Sequence, residues 1–182
     1  MQIKYIIVVL IFLFIGNASS NEETVTWNEL RKLTWSDFKA APDSNSGAVA
    51  LTASGITFGY SLKTSGKRII DFKYSVEAHF YPDKSWYISE KGDSYILGHE
   101  QLHFDITELY VRKFRQQLER LVANQNIKQQ MNQIHIAINE ALDKTQKTYD
   151  AQTKHSINVD AQKYWETYIA EELAKLDTYK SQ

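Results

Sequence analysis

The spacing of apolar residues changes once along this chain, and that change limits the possible folds more than any other feature of the sequence. Between Ala48 and Tyr81, apolar residues recur at every second position, which is typical of strands with one buried face. After Ser94 they recur every three to four positions, which is typical of amphipathic helices. Strands followed by helices predict an α+β domain with an N-terminal antiparallel β-sheet and then three α-helices.

Breaks in these two patterns predict where the elements end. Residues 64–67 (TSGK) predict the turn of a β-hairpin. A change of parity at residues 54–55 predicts a bulge in the first strand of that hairpin. Residues 124–126 (NQN) separate the first helix from the second. We expect a connector rich in turn-forming side chains at residues 150–158, before the third helix.

The first twenty residues predict an export signal. A lysine precedes the apolar run at residues 5–15, and small residues follow at 16–20. The apolar run is shorter than the roughly twenty residues that a membrane-spanning helix needs. We therefore expect residues 1–20 to be a signal peptide and residues 21–182 to be a single domain without a membrane span. The absence of cysteine excludes a lipoprotein anchor, so a periplasmic or secreted protein is expected.

Charge and composition limit the partners. The chain has 21 Lys+Arg and 22 Asp+Glu. It therefore lacks the basic excess that neutralises phosphates, and no nucleic-acid partner is expected. An exported domain without cysteine must be stabilised by packing, alone or together with a metal ion. Charged residues of the first helix, such as Arg112, Lys113 and Arg115, are expected to be solvated.

Residues 99–103 (HEQLH) form an H-E-x-x-H motif inside the first predicted helix. His99 and His103 lie about 40° apart around a helix and one turn apart along it, so both imidazoles can bind one metal ion. Glu100 is placed beside them to accept a proton from a water molecule that the metal activates. Two protein ligands are too few, because a catalytic zinc site uses three and keeps a further position open.

Three residues are candidates for the third ligand. His155 lies in the predicted connector, which can pass over the first helix, and Asp150 and Thr153 could orient its imidazole. Glu140 resembles the downstream glutamate of gluzincins, but it faces away from the apolar side of its own helix. Asp105 lies about 120° around the first helix from the first histidine of the motif. We favour His155 and keep Glu140 and Asp105 as alternatives.

Three separated motifs together resemble one known family. They are LTWSDF at residues 33–38, HEQLHFDI at 99–106, and YDAQTKHS at 149–156 with Gln162 and Trp165. In this order they resemble the bacterial secreted family of the domain of unknown function nine-two-two, whose members are predicted zinc-dependent proteases. The resemblance implies a zincin-like site in which His99 and His103 bind zinc and Glu100 is the catalytic base. It also implies that His155 is the third ligand, because that position falls within a motif of the family.

The sequence therefore predicts a secreted metallopeptidase with one Zn²⁺ per chain. It would hydrolyse peptide bonds through a zinc-activated water, with a peptide or protein as its substrate. Two alternatives stay open. The first is a zinc amidase that acts on cell-wall components, and the second is a non-catalytic secreted binding domain whose metal is structural.

Overall fold

The computed structural model describes residues 22–43 and 45–181. The predicted signal peptide at residues 1–20 lies outside the described residues. The elements in chain order are β1 (Val25–Thr26), β2 (Ala50–Leu51), β3 (Ser54–Ser65), β4 (Arg68–Phe80), β5 (Trp86–Tyr87), α1 (Ser94–Glu119), α2 (Ile127–Thr153) and α3 (Val159–Lys175). The prediction of an α+β fold, with antiparallel strands before three helices, is confirmed.

The described strands form two antiparallel sheets. Strands β1, β4 and β3 form one sheet in that order, and β2 pairs with β5 in the other. The β3–β4 hairpin closes at the predicted turn, where Gly66 has a φ of 56°, a left-handed conformation that glycine adopts without strain. The pairing is regular from Ser54 opposite Phe80 up to a register shift between Lys63 and Thr64.

The predicted bulge at residues 54–55 is wrong. Strand β2 ends at Leu51, and β3 begins at Ser54 in the other sheet. The change of parity therefore marks a break between two strands that belong to different sheets. The backbone N–H of Ala53 donates to Oγ of Ser85 in this linker, 2.9 Å away.

Helix α1 lies at the centre of the molecule, against the β3–β4 sheet on one side and against α2 and α3 on others. It begins after Asp93, whose carboxylate caps it by accepting the N–H of Ile96 at 2.8 Å. Because neighbours enclose it, even charged residues are buried. Arg112 is 2% exposed and its Nε donates to Oε1 of the fully buried Glu108 at 2.9 Å. The expectation that Arg112 is solvated is therefore wrong.

The core is built around this helix, and residues near both ends of the described chain bind to it. Nε1 of Trp27 donates to Oδ1 of Asp105 at 2.7 Å. Near the other end, the backbone N–H and the hydroxyl of Ser181 donate to the two oxygens of Glu108 at 3.0 and 2.7 Å. Among residues 22–43 and 45–181, no helix combines the length and the hydropathy that crossing a membrane requires.

Helix α2 extends to Thr153, so the predicted connector is shorter than expected. As a result, Asp150 lies in the last turn of α2 instead of in a loop. Lys154, His155 and Ser156 then follow with φ values of 50°, 52° and 71°. Three consecutive non-glycine residues in the left-handed region form a strained turn. Asn158 ends it and caps α3 by accepting the N–H of Ala161 at 3.2 Å.

Candidate metal centre

The two histidines of the motif face the C-terminal end of α2. Nε2 of His99 lies 3.3 Å from Oδ1 of Asp150, and Nε2 of His103 lies 3.0 Å from the same oxygen. One potential ligand atom from each of the three residues lies within 4.8 Å of the other two. In a tetrahedral zinc site, neighbouring ligand atoms are about 3.3 Å apart. This group could therefore hold a metal ion.

Glu100 follows His99 in α1 and is also buried, and its charge helps to raise the pKa of His103. Its side chain is on the same helix, and the residue is only 5% exposed. Within the described part of the chain, its Oε2 has no hydrogen-bond partner. A buried carboxylate oxygen without a donor is costly in free energy, so such an oxygen fits a site that a further group completes. The backbone carbonyl of Glu100 accepts from Oγ1 of Thr52 at 3.2 Å.

Each histidine has a glutamine at its other ring nitrogen. Nδ1 of His99 lies 2.9 Å from Oε1 of Gln162, and Nδ1 of His103 lies 2.5 Å from Oε1 of Gln146. These partners come from α3 and α2, so the two histidines join all three helices. Such contacts orient the rings around a metal.

Tyr149 fills the space behind the histidines. Its ring stacks on His99 with the centroids 4.5 Å apart, and its hydroxyl donates to Oε1 of Gln162 at 2.6 Å. Tyr149 is fully buried, and this burial raises the pKa of its hydroxyl, which therefore keeps its proton. Its role is to pack against His99 and to donate to Gln162.

The charges of the site influence one another strongly. Burial lowers the pKa of His103, but the charge and hydrogen bond of Asp150 outweigh that effect and raise the pKa to about 9. Burial likewise raises the pKa of the Asp150 carboxyl, but the charges and hydrogen bonds of His103 and His99 hold it well below its usual range. In the metal-free protein at neutral pH, His103 is therefore protonated, and its positive charge faces the negative charge of Asp150.

The three predicted third ligands have different positions. Nδ1 of His155 lies 3.7 Å from Oδ1 of Asp150, and its side chain is 54% exposed. His155 is thus adjacent to the group of His99, His103 and Asp150 but does not belong to it. Its role as a ligand stays a prediction. Glu140 is exposed on α2. Asp105 instead binds Trp27 and Gln101, at 2.7 and 2.8 Å.

The sequence predicts that Asp150 orients a ligand, whereas the structure includes it in the group that could hold a metal ion. The sequence predicts no role for Gln146 or Gln162. For Gln146 and Asp150 a signal exists in the sequence. Leu142, Gln146 and Asp150 follow one another at steps of four along α2, so the apolar face of the helix continues in polar residues at its end. Polar side chains on a buried helix face need partners, and here the partners are the histidines.

The protein is thus an α+β domain with a candidate metal centre. His99 and His103 of an H-E-x-x-H motif in α1 and Asp150 of α2 form that centre. The family described as bacterial protein of unknown function (DUF922) matches residues 22–156, well over half of the chain. The chain belongs to this family, which confirms the resemblance at the level of the family. No curated protein and no solved structure matches it.

Proposed function

We propose that this protein is an exported zinc-dependent peptidase in which His99, His103 and Asp150 hold one zinc ion. The observation that carries the proposal is the convergence of two imidazole nitrogens on one carboxylate oxygen, at 3.0 and 3.3 Å. Imidazole and carboxylate are ligands that catalytic zinc sites combine. Oε2 of Glu100 has no hydrogen-bond partner among residues 22–43 and 45–181, which supports a site that acts on a further group, beyond binding the ion.

When bound, zinc would polarise the carbonyl of the substrate and lower the pKa of a water molecule. Glu100 would accept the proton of that water as it attacks the carbonyl, and would then pass the proton to the leaving amine. Its position next to His99 in α1 keeps the carboxylate beside the ligand atoms. The half-exposed side of the site, near His155, is where a substrate would enter.

A second candidate function follows from the position of His155. If His155 also bound the ion, four protein ligands would leave no open position, and the metal would be structural. The protein would then be a secreted binding domain. A zinc amidase that acts on cell-wall components would use the same residues as a peptidase, so the choice of substrate in an assay separates those two.

The zinc content of the purified protein tests the proposal directly. We expect one zinc per chain in the wild type and none in Asp150→Ala. The matched control is Asp143→Ala, because Asp143 is a carboxylate on the same helix that pairs with Lys147 at 2.6 Å. The control should keep its zinc. A wild-type protein that binds no zinc when zinc is supplied would rule out the proposed function.

A further inference from the structure

We propose that two copies of this chain associate by pairing their β3 strands antiparallel, about a twofold axis at Gly59. The three-stranded sheets of the two copies would then form one continuous sheet. The surface involved lies away from the candidate metal centre, and its pairing does not depend on zinc.

Strand β3 lies at one edge of its sheet, and one hydrogen bond shows which of its backbone groups face outward. The N–H of Tyr81 donates to the carbonyl of Ala53, directly opposite, at 2.9 Å. Opposed residues of antiparallel strands alternate between pairs that exchange hydrogen bonds and pairs that do not. The odd-numbered residues of β3 therefore bond to β4, up to the register shift after Lys63. The even-numbered residues direct their N–H and C=O groups outward, and they include Ile56, Phe58, Tyr60 and Leu62.

This outer edge is free for a further strand. Within residues 22–43 and 45–181, no other backbone group bonds to these four outward-facing residues. No residue of β3 is buried. Charged side chains and proline commonly prevent an edge from pairing, but residues 54–62 contain neither. From Ile56 to Leu62 the strand therefore offers about 20 Å of backbone to a partner.

The free edge leads away from the candidate metal centre. Near its start, the hydroxyl oxygens of Ser54 and Thr107 lie 2.7 Å apart. Further along, the ring of Phe58 packs on Phe114 with the centroids 4.9 Å apart. Phe114 follows His103 by about three turns, or roughly 16 Å along α1. A strand paired with this edge would not lie over the histidines, which favours a partner chain over a substrate.

A second copy fits this edge because β3 is self-complementary about Gly59. In the antiparallel register centred there, the two glycines meet where the strands approach most closely. Tyr60, which is 45% exposed, lies opposite Phe58 of the second copy and gains an aromatic neighbour. Lys63 lies opposite Gly55 of the second copy, so no like charges oppose each other. The even-numbered residues of both strands also face each other, so all their outward groups find partners.

Cysteine cross-linking tests the contact and its register, and the chain has no cysteine of its own. In the proposed dimer, Thr57 lies opposite Ser61 of the second copy, with Cα atoms about 4.5 Å apart. This distance suits a disulfide, whereas the same two positions within one strand are roughly 13 Å apart. Thr57→Cys/Ser61→Cys should therefore form a covalent dimer on mild oxidation.

The matched control is Lys73→Cys/Glu77→Cys. Lys73 and Glu77 lie on β4 directly opposite Ser61 and Thr57, with the same spacing but one strand further from the axis. This variant should stay uncross-linked under the same conditions. An equal yield of covalent dimer in both variants would show that random collisions form the disulfide, and would overturn the proposed contact.

Sedimentation velocity from micromolar to near-millimolar concentration tests association without cross-links. We expect an equilibrium between monomer and dimer in the wild type. Thr57→Lys/Ser61→Lys opposes two pairs of like charges and should weaken the dimer by about tenfold. Thr57→Lys/Ser61→Glu differs from it at one residue and pairs opposite charges, so it should restore association. Circular dichroism of both variants checks that the fold is kept.

The outcomes separate this proposal from the proposed function. A wild type that stays monomeric at every concentration, or a dimer that both charge variants leave unchanged, would overturn the β3 pairing whatever the zinc content. A complex of β3 with a different chain would overturn the second copy as the partner. A dimer that responds to the charges as expected but binds no zinc would support the pairing and reject the zinc enzyme.

Discussion

Nδ1 of His155 lies 3.7 Å from Oδ1 of Asp150, the oxygen that also faces the two histidines of α1. Three imidazoles thus surround one carboxylate oxygen, two of them buried or nearly so and the third 54% exposed. The exposed imidazole belongs to the strained turn that follows α2. In the proposed zinc site, this geometry favours Asp150 over His155 as the third ligand.

We therefore expect His155→Ala to weaken zinc binding less than Asp150→Ala does. The reason is that His155 is the most distant and the most solvated of the three imidazoles. Zinc affinity measured by competition with a chelator checks this order. Equal and complete loss in both variants would show that His155 is a ligand, and the sequence-based assignment would then be correct.

Glu100→Gln should keep zinc and lose hydrolysis. The amide has the same shape as the carboxylate but cannot accept the proton, and general base catalysis contributes about 10²- to 10⁴-fold to rate. Cleavage of a peptide library followed by mass spectrometry, compared with release from peptidoglycan, measures the activity and identifies the substrate class. Glu140→Gln is the control, because Glu140 is exposed on α2. Undiminished turnover in Glu100→Gln would exclude Glu100 as the base.

The stability of the metal-free protein should fall as the pH rises from 6.5 through about 9. The pKa of His103 is raised from 6.5 to about 9, so its pairing with Asp150 contributes fully below 6.5 and is lost above about 9. The pKa of Asp150 is lowered from 3.8, so its contribution is present above 3.8 and is lost as the pH falls below that value. Thermal denaturation across this range measures the effect. Asp150→Asn should flatten the alkaline decline, and an unchanged profile in that variant would contradict the assignment.

Glu108→Leu should destabilise the fold by about 3–5 kcal/mol, because the buried Arg112 guanidinium loses its buried carboxylate partner and keeps only the exposed Asp177, 3.9 Å away. The control is the ion pair of Asp143 and Lys147, which has the same spacing of four residues but in which Lys147 is 52% exposed. Asp143→Ala should cost only about 0–1 kcal/mol there. Chemical denaturation gives both free energies of unfolding. Similar small losses at the two sites would show that the buried pair adds nothing beyond a surface pair.

Lys154→Gly should stabilise the protein by about 1 kcal/mol, because Lys154 has a φ of 50° where α2 ends and glycine adopts that conformation without strain. Lys144→Gly is the control. It lies exposed inside the same helix, where glycine should cost about 1 kcal/mol. Denaturation curves of the two variants should move in opposite directions. A destabilising Lys154→Gly would mean that other contacts already compensate for the strain.

The sequence predicted those parts of the site that depend on local spacing. His99 and His103 were assigned correctly to one helix face, because a separation of four residues determines their relation whatever the helix packs against. The three helices and the β-hairpin were predicted for the same reason.

The remaining errors come from features that spacing does not encode. Helix α2 ends at a left-handed lysine instead of the glycine that commonly marks such an end. The sequence therefore predicts a connector where the last turn of α2 lies, and a loop position for Asp150. Arg112 was expected in solvent because its sequence neighbours are charged, whereas its burial depends on α3 and on residues near Ser181.

The bond between Glu108 and Ser181 has a consequence for the order in which the protein forms during synthesis. Ser181 is joined to the chain 73 residues after Glu108. At typical translation speeds this is a delay of roughly 4–15 s. Throughout that interval the buried carboxylate of Glu108 has Arg112 of its own helix as a partner but lacks the two hydrogen bonds from Ser181. The native packing of α1, and any site that depends on it, is therefore completed only when nearly the whole described chain has been made.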